Sequence, residues 1–382
     1  MRVIVLLTIG FVLFGAPAVG QETPPADSQA SGDKPVMAMS DDELLDLAAR
    51  YADIGRFAEA RAALRIVLGR NDRNLEALQR DGEYALKTTP SDVQGARLSF
   101  LAALKIQPAE FRANYGLAQT WFRTRSWRQA QIYLETAART APSDKVAELN
   151  AMLAQCYRAN GLKPEAYAAV EKAIAADPSG RDAREVKIAL LTSDRKYDQA
   201  LVEADALVDL NRDAVRVAAD KREALVRLHG AHNIRLSVLQ EMRTIFFQIT
   251  PAGELTERIV EGREREAAAV VKRVMEDLIV LNDLNRTIQY FTIIAFAEQA
   301  VKIAPGDSDA WLKLGMLYRN TYQDQAAANV MARVLQLDRE NEAAKRELET
   351  LPPPTNVAPI PSASQPAGIP ESGPATSQAS VP

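Results

Sequence analysis

Residues 311–331 read WLKLGMLYRNTYQDQAAANVM, a stretch that places Gly315 between large apolar neighbours and then sets Ala327 four positions ahead of Met331. A small residue followed four positions later by a larger apolar one lies on a single helical face, where it forms a notch beside a knob. The same pairing recurs upstream at Ala60/Leu64, Ala96/Phe100, Ala130/Leu134 and Ala166/Val170, and in degenerate form at Ala200/Ala204. Those alanines stand 36, 34, 36 and 34 residues apart. A second small residue precedes each of the first four, at Ala48, Gly82, Ala118 and Ala154, and Pro108, Pro142 and Pro178 recur where a second helix must stop.

A period near 34 residues with two helices per unit is the signature of a solenoid, because one helix pair cannot bury its own apolar face and must stack on its neighbours. The pattern resembles the tetratricopeptide repeat. Trp311, Leu314, Gly315 and Tyr318 match its first helix and Ala327 and Met331 its second, while residues 147–180 match through Leu153, Ala154, Tyr157, Gly161, Ala166, Val170, Ala173 and Pro178. The resemblance covers rather more than half of the chain. It implies an all-α solenoid of antiparallel helix pairs wound as a right-handed superhelix with a concave inner face.

Composition agrees with this class. Of the 382 residues, 47% are hydrophobic and 25% charged, ordinary globular values, and alanine, leucine, arginine and glutamate favour helices. The formal charge of −4 becomes −5 without Arg2, and no long basic run occurs, which argues against general nucleic-acid binding.

The expected organisation follows the chain. Residues 1–20 read as a secretory signal: Arg2, a hydrophobic run from Val3 to Phe14, and small residues in Ala18-Val19-Gly20 ahead of Gln21. An uncleaved N-terminal anchor is the alternative. Residues 21–40 read as a flexible linker, 41–214 as an array of about five repeats, and 308–351 as a C-terminal repeat with a capping helix. Residues 352–382 hold nine of the twenty prolines and one charged residue, Glu371, which predicts a disordered tail.

Residues 215–307 depart from the pattern. Helical periodicity predicts irregular pairs, with one long helix over 254–281, a turn at Asn282-Asp283-Leu284-Asn285 and a second helix running to Pro305. They continue the solenoid or form a separate helical bundle. Their apolar runs, Ala267–Leu281 and Tyr290–Ile303, are interrupted by charge and do not make transmembrane spans. Burial between helices and an exposed docking face are both open. The charge run at 254–266 reads as the solvated face of a helix, and Asn285-Arg286-Thr287 fits a glycosylation sequon.

Chemistry is sparse. Phosphate loops, nucleophile elbows and metalloprotease helices are absent, so neither an enzyme nor a cofactor is expected. His229 and His232 would share a helical face three residues apart, but Gly230 and Asn233 suggest a helix end, and a polar loop is preferred to a metal site. Cys156 reads as a small core residue, which leaves an exported chain without an internal disulfide.

What remains is binding. The resemblance implies that the first helix of each pair lines the groove, which places Arg112, Tyr115, Gln119, Phe122 and Arg123 beside Gln155 and Arg158. Amides and arginines would hold a peptide's carbonyls or carboxylates, and the aromatic surface an apolar side chain. The family's Lys/Asn clamp for a chaperone's terminal carboxylate is missing, since Leu45, Ala49, Tyr115 and Gly116 occupy its positions. Trp121 and Trp127 read as scaffold, with Arg125 and Arg128 near the turn between their helices. The expected role is a noncatalytic scaffold or adaptor in the periplasm or cell envelope with a protein or peptide partner. The alternative is a structural part of an envelope secretion or assembly complex acting through 215–307.

Overall fold

The computed structural model describes residues 35–249, 255–285, 288 and 290–355. The expected signal sequence at 1–20, most of the expected linker, the last two positions of the sequon and all of the expected tail beyond Thr355 lie outside them. Among the described residues the chain is almost entirely helical and divides within one helix, after Leu210, into two compact units.

The first unit holds the pairs α1 (Asp41–Asp53) with α2 (Phe57–Arg70), α3 (Leu75–Lys87) with α4 (Val93–Ile106), α5 (Phe111–Arg123) with α6 (Trp127–Ala137), and α7 (Val146–Ala159) with α8 (Lys163–Ala176). It ends with α9 (Arg181–Ser193) and most of α10 (Tyr197–Val217). These are the tetratricopeptide-type hairpins that the spacing predicts, and each packs on the next. Starts are fixed by side chains: Ser40 and Glu43 form a reciprocal capping box, and Asn74, Asp92 and Glu110 cap α3, α4 and α5.

The small-residue rule has a direct physical basis here. Ala48, Ala60, Ala96, Ala118, Ala130, Ala154, Ala166 and Ala200 are all fully buried. The Phe100 ring lies over two glycines, so a Cβ on Gly82 would fall 2.7 Å from the ring and one on Gly116 only 2.2 Å. A buried ion cluster adds specificity between pairs. Arg61 donates to Asp81 at 2.8 Å and to Asp92 at 2.9 Å, and the Ser99 hydroxyl donates to Asp81 at 2.6 Å.

In the second unit, α11 (Lys221–Phe246) runs straight into a two-stranded antiparallel hairpin, β1 (Phe247–Ile249) and β2 (Leu255–Ile259), registered Phe247 to Ile259. Then follow α12 (Glu264–Asn285), α13 (Tyr290–Ile303), the C-terminal pair α14 (Ser308–Asn320) and α15 (Asp324–Leu337), and a capping α16 (Glu342–Thr350). Gly315 repeats the notch of the first unit, with Met331 Cε 2.8 Å from where its Cβ would stand.

Three expectations are corrected in this unit. Residues 254–281 are not one helix. The Leu-Thr-Glu-Arg-Ile stretch forms a strand, Gly262 turns the chain with φ 77°, and α12 starts only at Glu264, so the charge run at 254–266 is not a helix face. The proposed turn at Asn282–Asn285 is the last stretch of α12, with Asn282 buried. Gly230 and Asn233 do not end a helix either: α11 continues through both, because Leu228, Ala231 and His232 bury on its inner face and outweigh a helical glycine's cost of about 1 kcal/mol. The two apolar runs are mostly buried, through Val271, Val274 and Met275 in one and Ile293 and Ala297 in the other, while Phe291 stays exposed.

Candidate functional site

In the first unit the first helices of successive pairs form a row, α3 against α5, α5 against α7 and α7 against α9. Tyr115 of α5 lies beside Gln119 of its own helix and Glu148 of α7, and Gln155 and Arg158 follow further along α7. Tyr115 is the pivot of this face. Its ring stacks on Phe111 with centroids 5.4 Å apart, and its hydroxyl is buried without a hydrogen bond of good geometry. Burial first, then a hydrogen bond to the Glu148 carboxylate and its charge, raises the phenol's pKa far above its ordinary value, while Gln119 acts in the opposite direction. Gln119 and Gln155 are half-buried and Arg158 is exposed, its guanidinium donating to Gln155 at 3.3 Å.

The other three residues expected in the groove have intramolecular tasks. Arg112 grips Glu83 of α3 with two bonds of 3.0 Å. Arg123 reaches back to the Leu86 carbonyl and the Ser91 hydroxyl, both at 3.0 Å, and so ties α5 to the turn of the preceding pair. Phe122 is partly buried, edge-on to Trp127 at 5.1 Å. The two tryptophans are scaffold, as their repeat positions imply: Trp121 carries the Arg97 guanidinium 3.6 Å from its ring centroid, and Trp127 packs on the same core. Arg125 is itself the turn between α5 and α6, with φ 55°.

The histidines lie on one continuous helix but do not converge. His232 Nδ1 is 2.8 Å from Asp277 of α12, and Arg235 also bonds Asp277, whereas His229 Nδ1 meets the Asn233 amide at 3.0 Å. Asp277 is fully buried. Burial alone would raise its pKa, but the bonds from His232 and Arg235 outweigh this and hold it below the usual carboxylate range. Among the described residues no cluster of three metal-ligating side chains occurs. Cys156 is buried, which pushes its thiol up to about 12.

A second surface escaped the sequence. On the outer side of the first unit, α4 and α6 enclose an open apolar cleft of about 530 Å³ lined by Leu98, Leu101, Lys105, Ile132, Tyr133 and Thr136 among others. Its signal was present as apolar residues on the face opposite the buried alanines, at Leu98 and Ile132.

No protein-family model matches the sequence, and a search of curated proteins finds no match. Similar solved structures exist. MamA from Desulfovibrio magneticus is 20% identical over 45% of this chain and 96% of its own, with a TM-score of 0.42. A tetratricopeptide repeat protein from Parabacteroides merdae is 13% identical over 81% of this chain and 97% of its own, with a TM-score of 0.44. The tetratricopeptide repeat protein TTC0263 from Thermus thermophilus is 21% identical over 50% and 98%, with a TM-score of 0.37.

Proposed function

We propose that the chain is a noncatalytic protein-interaction scaffold that receives an extended peptide segment across the first-helix face of α5 and α7. The observation that supports this most is that the packed first helices α5 and α7 carry the half-buried amides of Gln119 and Gln155 and the exposed Arg158, with the Tyr115 hydroxyl buried against Glu148 and Gln119. A peptide backbone supplies carbonyl acceptors for such amides, and a carboxylate side chain suits Arg158. Arg112 and Arg123 take a positioning role in this reading, since their bonds hold α5 in register with the preceding pair. The hydrophobic leader ending Ala18-Val19-Gly20 supports export, with work in the periplasm or at the cell envelope.

A photo-crosslinking residue placed singly at Gln119, Gln155 and the exposed Lys172 of α8, in the full chain expressed in its native cell, tests the face. The expected result is one common adduct from positions 119 and 155 and none from 172. Equal adducts from all three positions, or none from 119 and 155, would overturn the assignment.

A further inference from the structure

The outer face of α4 and α6 is not explained by the fold. Leu98 is 69% exposed and Ile132 56% exposed, on adjacent helices and at the lips of one cleft. Repeat packing buries the opposite stripes, Ala96, Phe100 and Ala103 on α4 and Ala130, Leu134 and Ala137 on α6. The outward stripes therefore do nothing for the core.

Charge gives this face its second property. From residue 93 to 142 there are seven basic side chains and two acidic ones, within a chain whose net charge is −4. Both acids are committed: Glu110 caps α5 through the Ala113 N–H, and Glu135 accepts from Gln131 and from the Tyr157 hydroxyl. On the basic side, Arg97 lies on Trp121, while Arg112 and Arg123 are bound to other parts of the unit. Lys105, Arg125, Arg128 and Arg139 remain exposed and without an ion pair among the described residues, Arg125 in the turn between α5 and α6. Helical spacing arranges the other three around the apolar side chains. On α4, Leu98, Leu101 and Lys105 follow one stripe, and on α6, Arg128, Ile132 and the exposed Glu135 follow another that ends at Arg139 just past the helix. The result is an aliphatic cleft that Lys105 lines directly, with Arg128 and Arg139 on the neighbouring stripe of α6.

We propose that this face is a docking surface for an acidic segment of a partner protein, which seats aliphatic side chains between α4 and α6 and sets carboxylates against Lys105, Arg128 and Arg139. The recess decides the kind of partner. A slot between two helices takes protruding side chains, whereas a bilayer surface would leave its depth unfilled. The cationic frame sets the sign of the partner's charge and speeds its approach.

The test is selection of a random twelve-residue peptide library, displayed on phage, against the full chain, followed by affinity measurement of the selected peptides. Peptides combining Asp or Glu with Leu, Ile or Val are expected, with affinity falling roughly tenfold or more in Leu98→Asp or Ile132→Asp and about fivefold in Lys105→Glu. Binding should weaken with added salt. Because the substituted side chains are exposed, thermal unfolding should stay unchanged, and Val202→Asp on α10 should leave binding intact. Selection of neutral or basic peptides, or of acidic peptides indifferent to Leu98→Asp, overturns the proposal. So does cosedimentation with phosphatidylglycerol–phosphatidylcholine vesicles that Leu98→Asp abolishes, which assigns the face to a membrane. A dimer in sedimentation equilibrium that Ile132→Asp dissociates also overturns it, and assigns the face to a second copy.

Discussion

Each unit buries one aspartate deep among helices, and the two aspartates are satisfied by different chemistry. In the first unit Asp81 receives bonds from Arg61 and the Ser99 hydroxyl. In the second, Asp277 receives them from Arg235 and the His232 imidazole. The regular array thus closes its polar core with a guanidinium and a hydroxyl, while the irregular unit uses a guanidinium and an imidazole. The contrast extends to packing. The first unit relies on glycines set against a rigid Phe100 ring, and the second sets Gly315 against a flexible Met331.

The largest effects are expected from removing the aspartates. Asp277→Ala leaves the buried His232 and the largely buried Arg235 facing a methyl group, and Asp81→Ala leaves the buried Arg61 with Asp92 as its remaining carboxylate. Each should cost about 3–5 kcal/mol in urea unfolding. Hydrogen exchange should place the loss in α11 and α12 for the first variant and in α2 to α4 for the second. If Asp277→Ala costs under about 1 kcal/mol, the cluster contributes no net stability and the comparison collapses.

Acid separates the units further. The folded-state pKa of Asp277 lies below its unfolded value of about 3.9, so its contribution is complete above that value and is lost as pH falls through the folded one. The stability gap between wild type and Asp277→Asn should therefore be constant from about pH 7 to 5 and shrink below about pH 4. Chemical denaturation at several pH values checks this, and a gap that widens on acidification would contradict the assignment.

Packing comes next in size. Gly116→Ala drives a Cβ into the fully buried Phe100 ring and should cost about 1–3 kcal/mol, with partial relief in the double variant carrying Phe100→Leu. Gly315→Ala meets the end of Met331, which can rotate aside, and should cost clearly less, under about 1.5 kcal/mol. Equal costs would remove the rigid-versus-flexible distinction between the units.

These contrasts also show which parts of the molecule were readable beforehand. The alanine register and the prolines after α4, α6 and α8 mark helices whose inward positions are sterically forced, so Ala60, Ala96, Ala130 and Ala166 proved fully buried. The strand pair Phe247–Ile249 and Leu255–Ile259 was missed because a five-residue strand carrying two charges has no clear signal beside helical neighbours. The break read at Gly230 and Asn233 failed because tertiary burial of α11 overrides a local propensity of about 1 kcal/mol. The site was the least legible part. Spacing put Arg112 and Arg123 on the first-helix face, yet it could not show that Glu83 and the Leu86 carbonyl, 29 and 37 residues away, would engage them. Leu98 and Ile132 passed unnoticed because single exposed aliphatics are ordinary until a fold places two of them across one cleft.

The smallest predicted effect concerns the turn that both units share. At Gly55, Arg125, Gly161, Arg195 and Tyr322 the chain adopts positive φ, and in each case the following residue's N–H bonds back five residues, as Ser126 does to Trp121 and Gln323 to Tyr318. Glycine meets this left-handed requirement without cost, whereas a side chain with a Cβ loses about 1–2 kcal/mol there. Glycine's greater freedom in the unfolded chain returns roughly 0.5–1 kcal/mol of that gain. Arg125→Gly and Tyr322→Gly should therefore each stabilise their own unit by at most about 1 kcal/mol, read as a small rise in denaturation midpoint at unchanged slope. Tyr322 is 92% exposed, so its gain should be the cleaner of the two, because removing a ring that stands in solvent sacrifices almost no packing. If Tyr322→Gly destabilises its unit, the exposed ring holds that turn through more than its backbone, and the two turns are not equivalent.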